Sequence, residues 1–330
     1  MEASELIKKY KSGKTDFSGT NLGNVNLASA DLIGIILREA DLHNANFVFA
    51  YLNRADFTDA NLKESNLSGA NLNQAELSRV NLQGANLHGT ILQRANLKEA
   101  NLSLANLVDA NLIMADLRSV DFSGANLIGA CLRGANLRRE KRKQIVTMRG
   151  ASLCKADLQN TNMNGADLVK VNFSGANLKE VNLQDADLRE ADLTDVNLEG
   201  AILTEANLMG TKLAGANLSG AKFARANLTE ANLTKANLEG AIFPDAKLIR
   251  TNLVGANLSF ARMSRVDLSR SNLTDANLTE AMMIEVFCAR TNFTRVDFTG
   301  ANLLRAEISS ANVFDVNWKG ATLPDGKVHS

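Results

Sequence analysis

A large apolar residue recurs at every fifth position of this chain, with centres from Phe17 to Leu137 and again from Met148 to Leu323. Two residues before a centre stands a small or β-branched side chain, as at Ala30, Ala40, Ala70, Val80, Val171 and Thr251, and the residue just before it is usually Asn or Asp. A period of five suits neither the 3.6-residue helix nor the two-residue alternation of a flat strand. It suits an extended segment that turns a corner every five residues. The centre and the residue two before it then point inward together, and the Asn or Asp between them points out. Self-similarity at a fixed period is the mark of a solenoid, so the repeat determines the fold before anything else is read.

The first block holds 25 pentads in one register and the second 36, and Glu140 to Ile145 shifts the register between them by six residues. Written as A-(D/N)-L-X-X, the motif resembles that of the pentapeptide-repeat proteins over residues 15–325. The resemblance implies an all-β fold, a right-handed quadrilateral (square) β-helix solenoid with one pentad per side. Four sides to a coil give about 15 coils, and a spacing of about 4.8 Å makes a rod roughly 70 Å long. Residues twenty apart then stack, so Met163, Leu183, Leu203, Phe223, Phe243, Met263, Met283 and Leu303 form one core ladder in which Phe223 touches Phe243.

The organisation that follows is an N-terminal helical cap over residues 1–14, a first β-helix block over 15–139, a basic inserted loop over 140–145, a second block over 146–325 and a tail over 326–330. Residues 4–12 lack the pentad pattern and read as a short amphipathic α-helix with Ser4 as N-cap, Gly13 as stop, and Leu6, Ile7 and Tyr10 on one face. Its expected task is to cover the apolar, hydrogen-bonding cross-section at the coil end. No second helix is expected at the other end. There the final coil either shields itself with Phe314 and Trp318 or meets another subunit, which makes those two residues the candidate C-terminal interface.

Composition narrows the function classes. Lys plus Arg and Asp plus Glu both number 36, so the net charge is zero and the total announces neither a nucleic-acid binder nor an acidic mimic. The three cysteines form no disulfide framework or metal pattern: Cys288 sits at a centre, while Cys131 and Cys154 point outward, which suits a reducing compartment. Without a leader pattern or an apolar run of membrane-spanning length, the expected address is the cytoplasm, with no membrane partner. His43, His88 and His329 read as solvated surface, and the Asp residues before centres, such as Asp31, Asp41, Asp157, Asp187 and Asp192, as corner formers. No pocket is in prospect, so the chain is expected to be no enzyme and to need no cofactor or metal.

Two departures from the repeat supply candidate contact surfaces. Arg138, Arg139, Lys141, Arg142, Lys143 and Arg149 oppose Glu140 alone, a local net of +5 against −2 for the chain before and −3 for the chain after. The cluster carries no aromatic residue for base stacking, which argues against nucleic acid as its partner. The second departure is apolar. Ile202, Ile242 and Met282 replace the usual Asn or Asp on one face with Lys222 and Arg262 between them, Met209 and Ile249 lie on the next face, and Ile284 and Phe287 sit nearby. In the first block Val48, Phe49, Tyr51, Ile91, Val108, Ile113, Met114 and Ile128 gather in the same way.

The reading is a rigid, non-catalytic repeat scaffold for a protein partner whose identity the sequence does not give, a monomer or weak homodimer. The dense repeat and short cap look like cyanobacterial members of the family, some of which regulate cell differentiation through partner proteins. The alternative that the resemblance brings is a DNA mimic acting on DNA gyrase. Such members are strongly acidic along the coil, whereas one outward column here reads Asp185, Glu205, Arg225, Asp245, Arg265, Glu285.

Overall fold

The computed structural model describes residues 1–138 and 145–330. They form two compact units, Met1–Asp167 and Leu168–Ser330. One local event repeats in both. The residue before each centre makes a parallel bridge to the residue twenty further on, from Asp16↔Ile36 in the first unit and from Asn172↔Asp192 in the second, so four pentads complete a turn. Around the insertion the spacing widens by six: Asp121 bridges Thr147 and Asn126 bridges Ser152.

Each pentad closes as a β-turn. The N–H of Ala30 reaches the carbonyl of Leu27 at 3.1 Å, and the same bond recurs from Ala50 to Phe47 and from Ala226 to Phe223, both at 2.9 Å. The third turn residue adopts a left-handed φ, 54° at Phe49 and 59° at Glu205, the value that a type II turn requires there. Side chains dislike that region, by about 1 kcal/mol for a residue with a Cβ. The backbone N–H of the same residue compensates by bonding to the next turn, as from Arg54 to Asn73 O at 3.0 Å.

Asn and Asp precede the centres because the position needs an acceptor. The Oδ1 of Asn66 accepts from Ser68 N at 3.1 Å, an Asx turn that fixes the corner, and also from the side-chain amide of Asn86 at 3.2 Å. The second bond builds ladders such as Asn177–Asn197–Asn217–Asn237–Asn257–Asn277. Asp can only accept, so it takes a rung where a donor follows, as Asp41 does beneath Asn61 at 3.0 Å.

Inside, the centres from Phe17 to Leu303 are sealed from water, and only the last four, Ile308, Val313, Trp318 and Leu323, are partly open. Phe223 and Phe243 stack with ring centroids 4.7 Å apart and planes 4° from parallel, as the twenty-residue arithmetic anticipates. Full burial of each such side chain is worth about 1.5–3 kcal/mol. The Ala positions beside them keep neighbouring sides close. Where Thr90 and Thr251 replace Ala, their hydroxyls bond to carbonyls, Thr90 to Leu67 O and Thr251 to Leu228 O at 2.9 Å each.

The helix α1, Ala3–Lys11, differs from expectation at its start. Its N-cap is Glu2, with no side-chain cap bond, and Ser4 lies inside the first turn. A chain entering in the extended conformation at Glu2 lets the helix begin before the residue with the better capping side chain. Its end is a Schellman motif: Gly13 N bonds to Tyr10 O at 2.9 Å and Lys14 N to Lys9 O at 3.1 Å, with Gly13 at φ 97°. Leu6 is fully buried, and the Tyr10 hydroxyl donates to Ile33 O at 2.7 Å, which pins the helix to the first turns.

The C-terminal residues 326–330 fold back. Val328 pairs antiparallel with Thr322, and His329 exchanges backbone bonds with Gly320 and Ala321. This covers the last edge of one side.

Ser65 is the one buried side-chain polar group among the described residues with no hydrogen-bond partner. Replacing it removes an unsatisfied hydroxyl, whereas replacing Thr251 removes a satisfied one. Thermal and urea unfolding should therefore find Ser65→Ala neutral or up to about 1 kcal/mol more stable, and Thr251→Ala about 1–2 kcal/mol less stable. A Ser65→Ala variant that loses as much as Thr251→Ala would contradict this account.

Candidate interaction surfaces

The large side chains of the interior, such as Leu203, Phe223 and Phe243, are buried, and the variable side chains lie on the outside. Of the basic cluster, Arg139, Lys141, Arg142 and Lys143 lie outside the described residues. Arg138 is exposed, and its backbone N–H donates to Asn136 Oδ1 at 3.4 Å. Arg149 is engaged: its Nε donates to Asp167 Oδ2 at 2.5 Å. Nearby, Arg133 pairs with Asp157 at 2.9 Å and Arg118 with Asp116.

In the second unit, Ile202, Lys222, Ile242, Arg262 and Met282 stand in one unbroken column of parallel bridges. Ile202 and Ile242 are half-buried, and Lys222, Arg262 and Met282 are exposed. Ile284 follows on the same face. Met209 and Ile249 lie on the adjoining face, where Phe287 is 43% exposed. The structure thus places the seven apolar candidates on two neighbouring faces. It adds Phe260, 51% exposed at a corner beside the column. Its signal in the sequence is a large apolar residue two after a centre, where Gly200, Gly220 and Gly240 stand in the preceding turns.

In the first unit, Phe49, Tyr51, Ile91, Met114 and Ile128 are exposed, joined by Ile33 and Leu104. Phe49 lies across Gly69, where an added Cβ would come within 2.3 Å of its ring. At the C-terminal end Phe314 is 68% exposed, while Trp318 is half-buried and stacks on Phe298 at 4.9 Å.

Part of the charged surface is paired along the columns. Arg225 holds Glu205, Arg265 holds Asp245 at 2.7 Å and Arg305 holds Glu285 at 3.2 Å. The hydrogen bond from Arg265 keeps Asp245 below the usual carboxylate range, and the bond from Arg79 does the same for Asp59. Burial pulls Asp116 upward, but the bonds from the Arg118 side chain and backbone outweigh it, and its carboxyl too ends below the ordinary value.

Titratable clusters with chemical potential are sparse. His43 Nδ1 lies 2.8 Å from Asp41 Oδ1, and its ring fills the space over Gly23, where an added Cβ would come within 2.2 Å of it. Burial pushes the Cys288 thiol up to about 12, while Cys131 and Cys154 are half-exposed. Among the described residues no three His, Cys, Asp or Glu side chains converge to hold a metal ion, and no helix is long and apolar enough to cross a membrane.

Parallel bridges at twenty-residue spacing, closed turns every five residues and an interior lined by one centre per pentad define a β-helical solenoid. A family model for pentapeptide repeats (8 copies) matches the chain in nine segments from residue 20 to 309, with gaps at residue 99 and residues 140–147. The chain belongs to the pentapeptide-repeat family, whose members fold as right-handed β-helices. Among solved structures it is similar to HetL, a pentapeptide repeat protein involved in heterocyst differentiation regulation from the cyanobacterium Nostoc sp., at 25% identity over 100% of both chains with a TM-score of 0.27. Rfr23 from the cyanobacterium Cyanothece is 27% identical over 48% of this chain and 98% of its own, with a TM-score of 0.24. QnrB1, a plasmid-mediated fluoroquinolone resistance protein, is 18% identical over 60% of this chain and 91% of its own, with a TM-score of 0.27. The Synechocystis sp. protein slr1819, itself uncharacterized, is 56% identical over 41 residues, which span 12% of its length and 12% of this chain.

The depressed carboxylates set a pH response. A carboxyl whose folded pKa lies below its unfolded value stabilises the fold above the unfolded pKa, near 4, and loses that contribution as pH falls through the folded pKa. The melting temperature should hold from pH 8 to about 5 and drop below about pH 4. Asp116→Asn should soften that acid limb, and a limb of unchanged steepness would remove Asp116 from the set responsible.

Proposed function

We propose that this protein is a non-catalytic, four-sided β-helical scaffold that presents side chains to a protein partner and has a regulatory role. Its pentads, taken four to a turn, amount to about 15 turns. The observation that carries the reading is the sealed interior: Leu203, Phe223, Phe243 and Met263 are each 0% exposed, so recognition falls to the outer faces. On those faces the apolar departures are grouped rather than scattered, as contact surfaces are.

The partner is a protein, neither membrane nor nucleic acid, and the compartment is the cytoplasm, in keeping with the half-exposed Cys131 and Cys154, neither of which is in a disulfide. The basic residues Arg138, Arg139, Lys141, Arg142, Lys143 and Arg149 form a second candidate contact. The chain is a monomer or weak homodimer. Phe314 and Trp318, or the Ile202/Ile242/Met282 edge, are the places where copies would meet. A gyrase-directed DNA mimic is the weaker reading, because a mimic needs a continuous acidic field and here Arg225 and Arg265 neutralise Glu205 and Asp245 within their own column.

Capture of partners from a lysate of the native host tests the scaffold reading. Wild type should retain a defined protein, and Ile242→Asp or removal of residues 140–145 should lose it with an unchanged circular dichroism spectrum. Sedimentation alongside decides self-association: a dimer indifferent to both Ile242→Asp and Trp318→Ala would refute the interface assignment.

In a supercoiling assay the purified protein should give gyrase no protection from a quinolone and should not retard duplex DNA at about 0.15 M salt. Relief of inhibition at low micromolar protein would reverse the order of the two readings.

A further inference from the structure

The column Ile202–Lys222–Ile242–Arg262–Met282 is the longest stretch in which any face of either unit does without its Asn or Asp. Elsewhere no column goes without one for more than two turns, at Phe287 and Glu307. Each of the five substitutions forgoes the Asx bond and the ladder bond that support the other faces. At Ile242 the residue whose N–H would donate the Asx bond is Pro244, which has none to offer. A repeat that abandons its own stabilising device over five consecutive turns has been shaped for something other than stability.

What replaces the ladder is a regular alternation of aliphatic and cationic side chains. Lys222 and Arg262 have no carboxylate within ion-pair distance among the described residues, while Arg225, Arg265 and Arg305 at the neighbouring corner each hold one. Alongside runs a lane of glycines, Gly200, Gly220 and Gly240, stacked through their backbones. A Cβ built at Gly220 or Gly240 meets nothing within 4 Å, and Phe260 closes the lane in the next turn.

The backbone of this face is already satisfied: Ile202 N bonds to Val181 O, Lys222 N to Ala201 O, Ile242 N to Ala221 O and Arg262 N to Ala241 O, each at 2.9 Å. No edge is left for a strand to join. The occupant must therefore bring a backbone satisfied within itself, which an α-helix does. Successive positions on one helix face, at three- and four-residue spacing, are about 5.2 Å apart, against about 4.8 Å between turns of the coil. Across the five rungs the two drift apart by about 2 Å, within the reach of Lys and Arg side chains. The charge must be opposite to that of Lys222 and Arg262. The chain's own helix α1 carries Lys8, Lys9 and Lys11 against Glu5, so a second copy does not supply it.

We propose that this face binds an amphipathic α-helix of a different protein, laid along the stacking direction, with large apolar residues and Asp or Glu alternating at three- and four-residue spacing. The apolar side chains lie against Ile202, Ile242 and Met282, the carboxylates reach Lys222 and Arg262, and the glycine lane lets the helix come close. This rests on the scaffold reading and names its partner's chemistry.

The test uses the full chain and two labelled synthetic helices of about 15 residues, one alternating Leu with Glu at that spacing and one Leu with Lys. By fluorescence anisotropy the Glu helix should bind at least tenfold more tightly than the Lys helix. Lys222→Glu/Arg262→Glu should invert that order. Gly220→Gln/Gly240→Gln fills the lane with a side chain that the same corner position accepts at Gln74, and should weaken the Glu helix about tenfold with the fold intact by circular dichroism. Absent binding of the Glu helix, equal binding of the two helices, or an order unmoved by the charge reversal would each overturn the proposal. If the charge-reversed protein still captures the partner that wild type takes from a host lysate, this face is excluded and the scaffold reading survives.

Discussion

Everything in this molecule depends on one turn of coil sitting on the next with identical backbone register. The N–H of a centre, of the residue before it and of the corner residue all bond to a neighbouring turn, as at Leu22, Asp41 and Asn24. A pairing that must recur every twenty residues admits no local compromise, because a pentad that fails its own turn also deprives both neighbours. The same constraint produces the narrow core. Large centres alternate with Ala, and a bulkier partner would push apart sides whose backbones must stay in place.

The variable side chains are thereby turned outward. A four-pentad turn leaves three outward positions per pentad, and each becomes a column along the stacking direction. Corner columns place opposite charges next to each other, as at Asp59 and Arg79 or Asp275 and Arg295. Exposed pairs of this kind add little stability, typically about 0–1 kcal/mol. Their larger effect is to cancel the long-range field, which is why zero net charge here reflects local neutrality as well as a balanced total. Lys222 and Arg262 stand out against that background because their column supplies aliphatic neighbours instead of carboxylates.

The apolar surface and the structural ladder compete for the same position. Asn before a centre holds the corner and ties two turns together; Ile in that place holds neither but offers area to a partner. Ladder bonds and exposed apolar area are thus drawn from one pool of positions, and in the second unit the column from Ile202 to Met282 carries the longest exchange. The Asn ladder on the adjoining face, from Asn177 to Asn277, is left uninterrupted.

Much of this was legible in the chain itself. The five-residue period, the inward centres, the twenty-residue stacking of Phe223 on Phe243 and the seven apolar residues on two adjoining faces all follow from position alone, since every residue in a strict repeat has a predictable address. What escaped was whatever the repeat does not dictate. Helix α1 begins at Ala3 rather than after Ser4 because the chain enters extended at Glu2. Residues 326–330 turn back to pair with Thr322, a choice made by an open strand edge that only the folded coil presents. Phe260 went unremarked because its neighbours in the column, three glycines, are sixty residues of sequence and only three turns of coil. The sequence by itself determined which side of the backbone each residue occupies, because the turn chemistry and the period are local. Only the tertiary structure decided which exposed side chains are neutralised, which lie over a glycine and which stand free, because those outcomes depend on partners one turn away whose side chains choose among several neighbours.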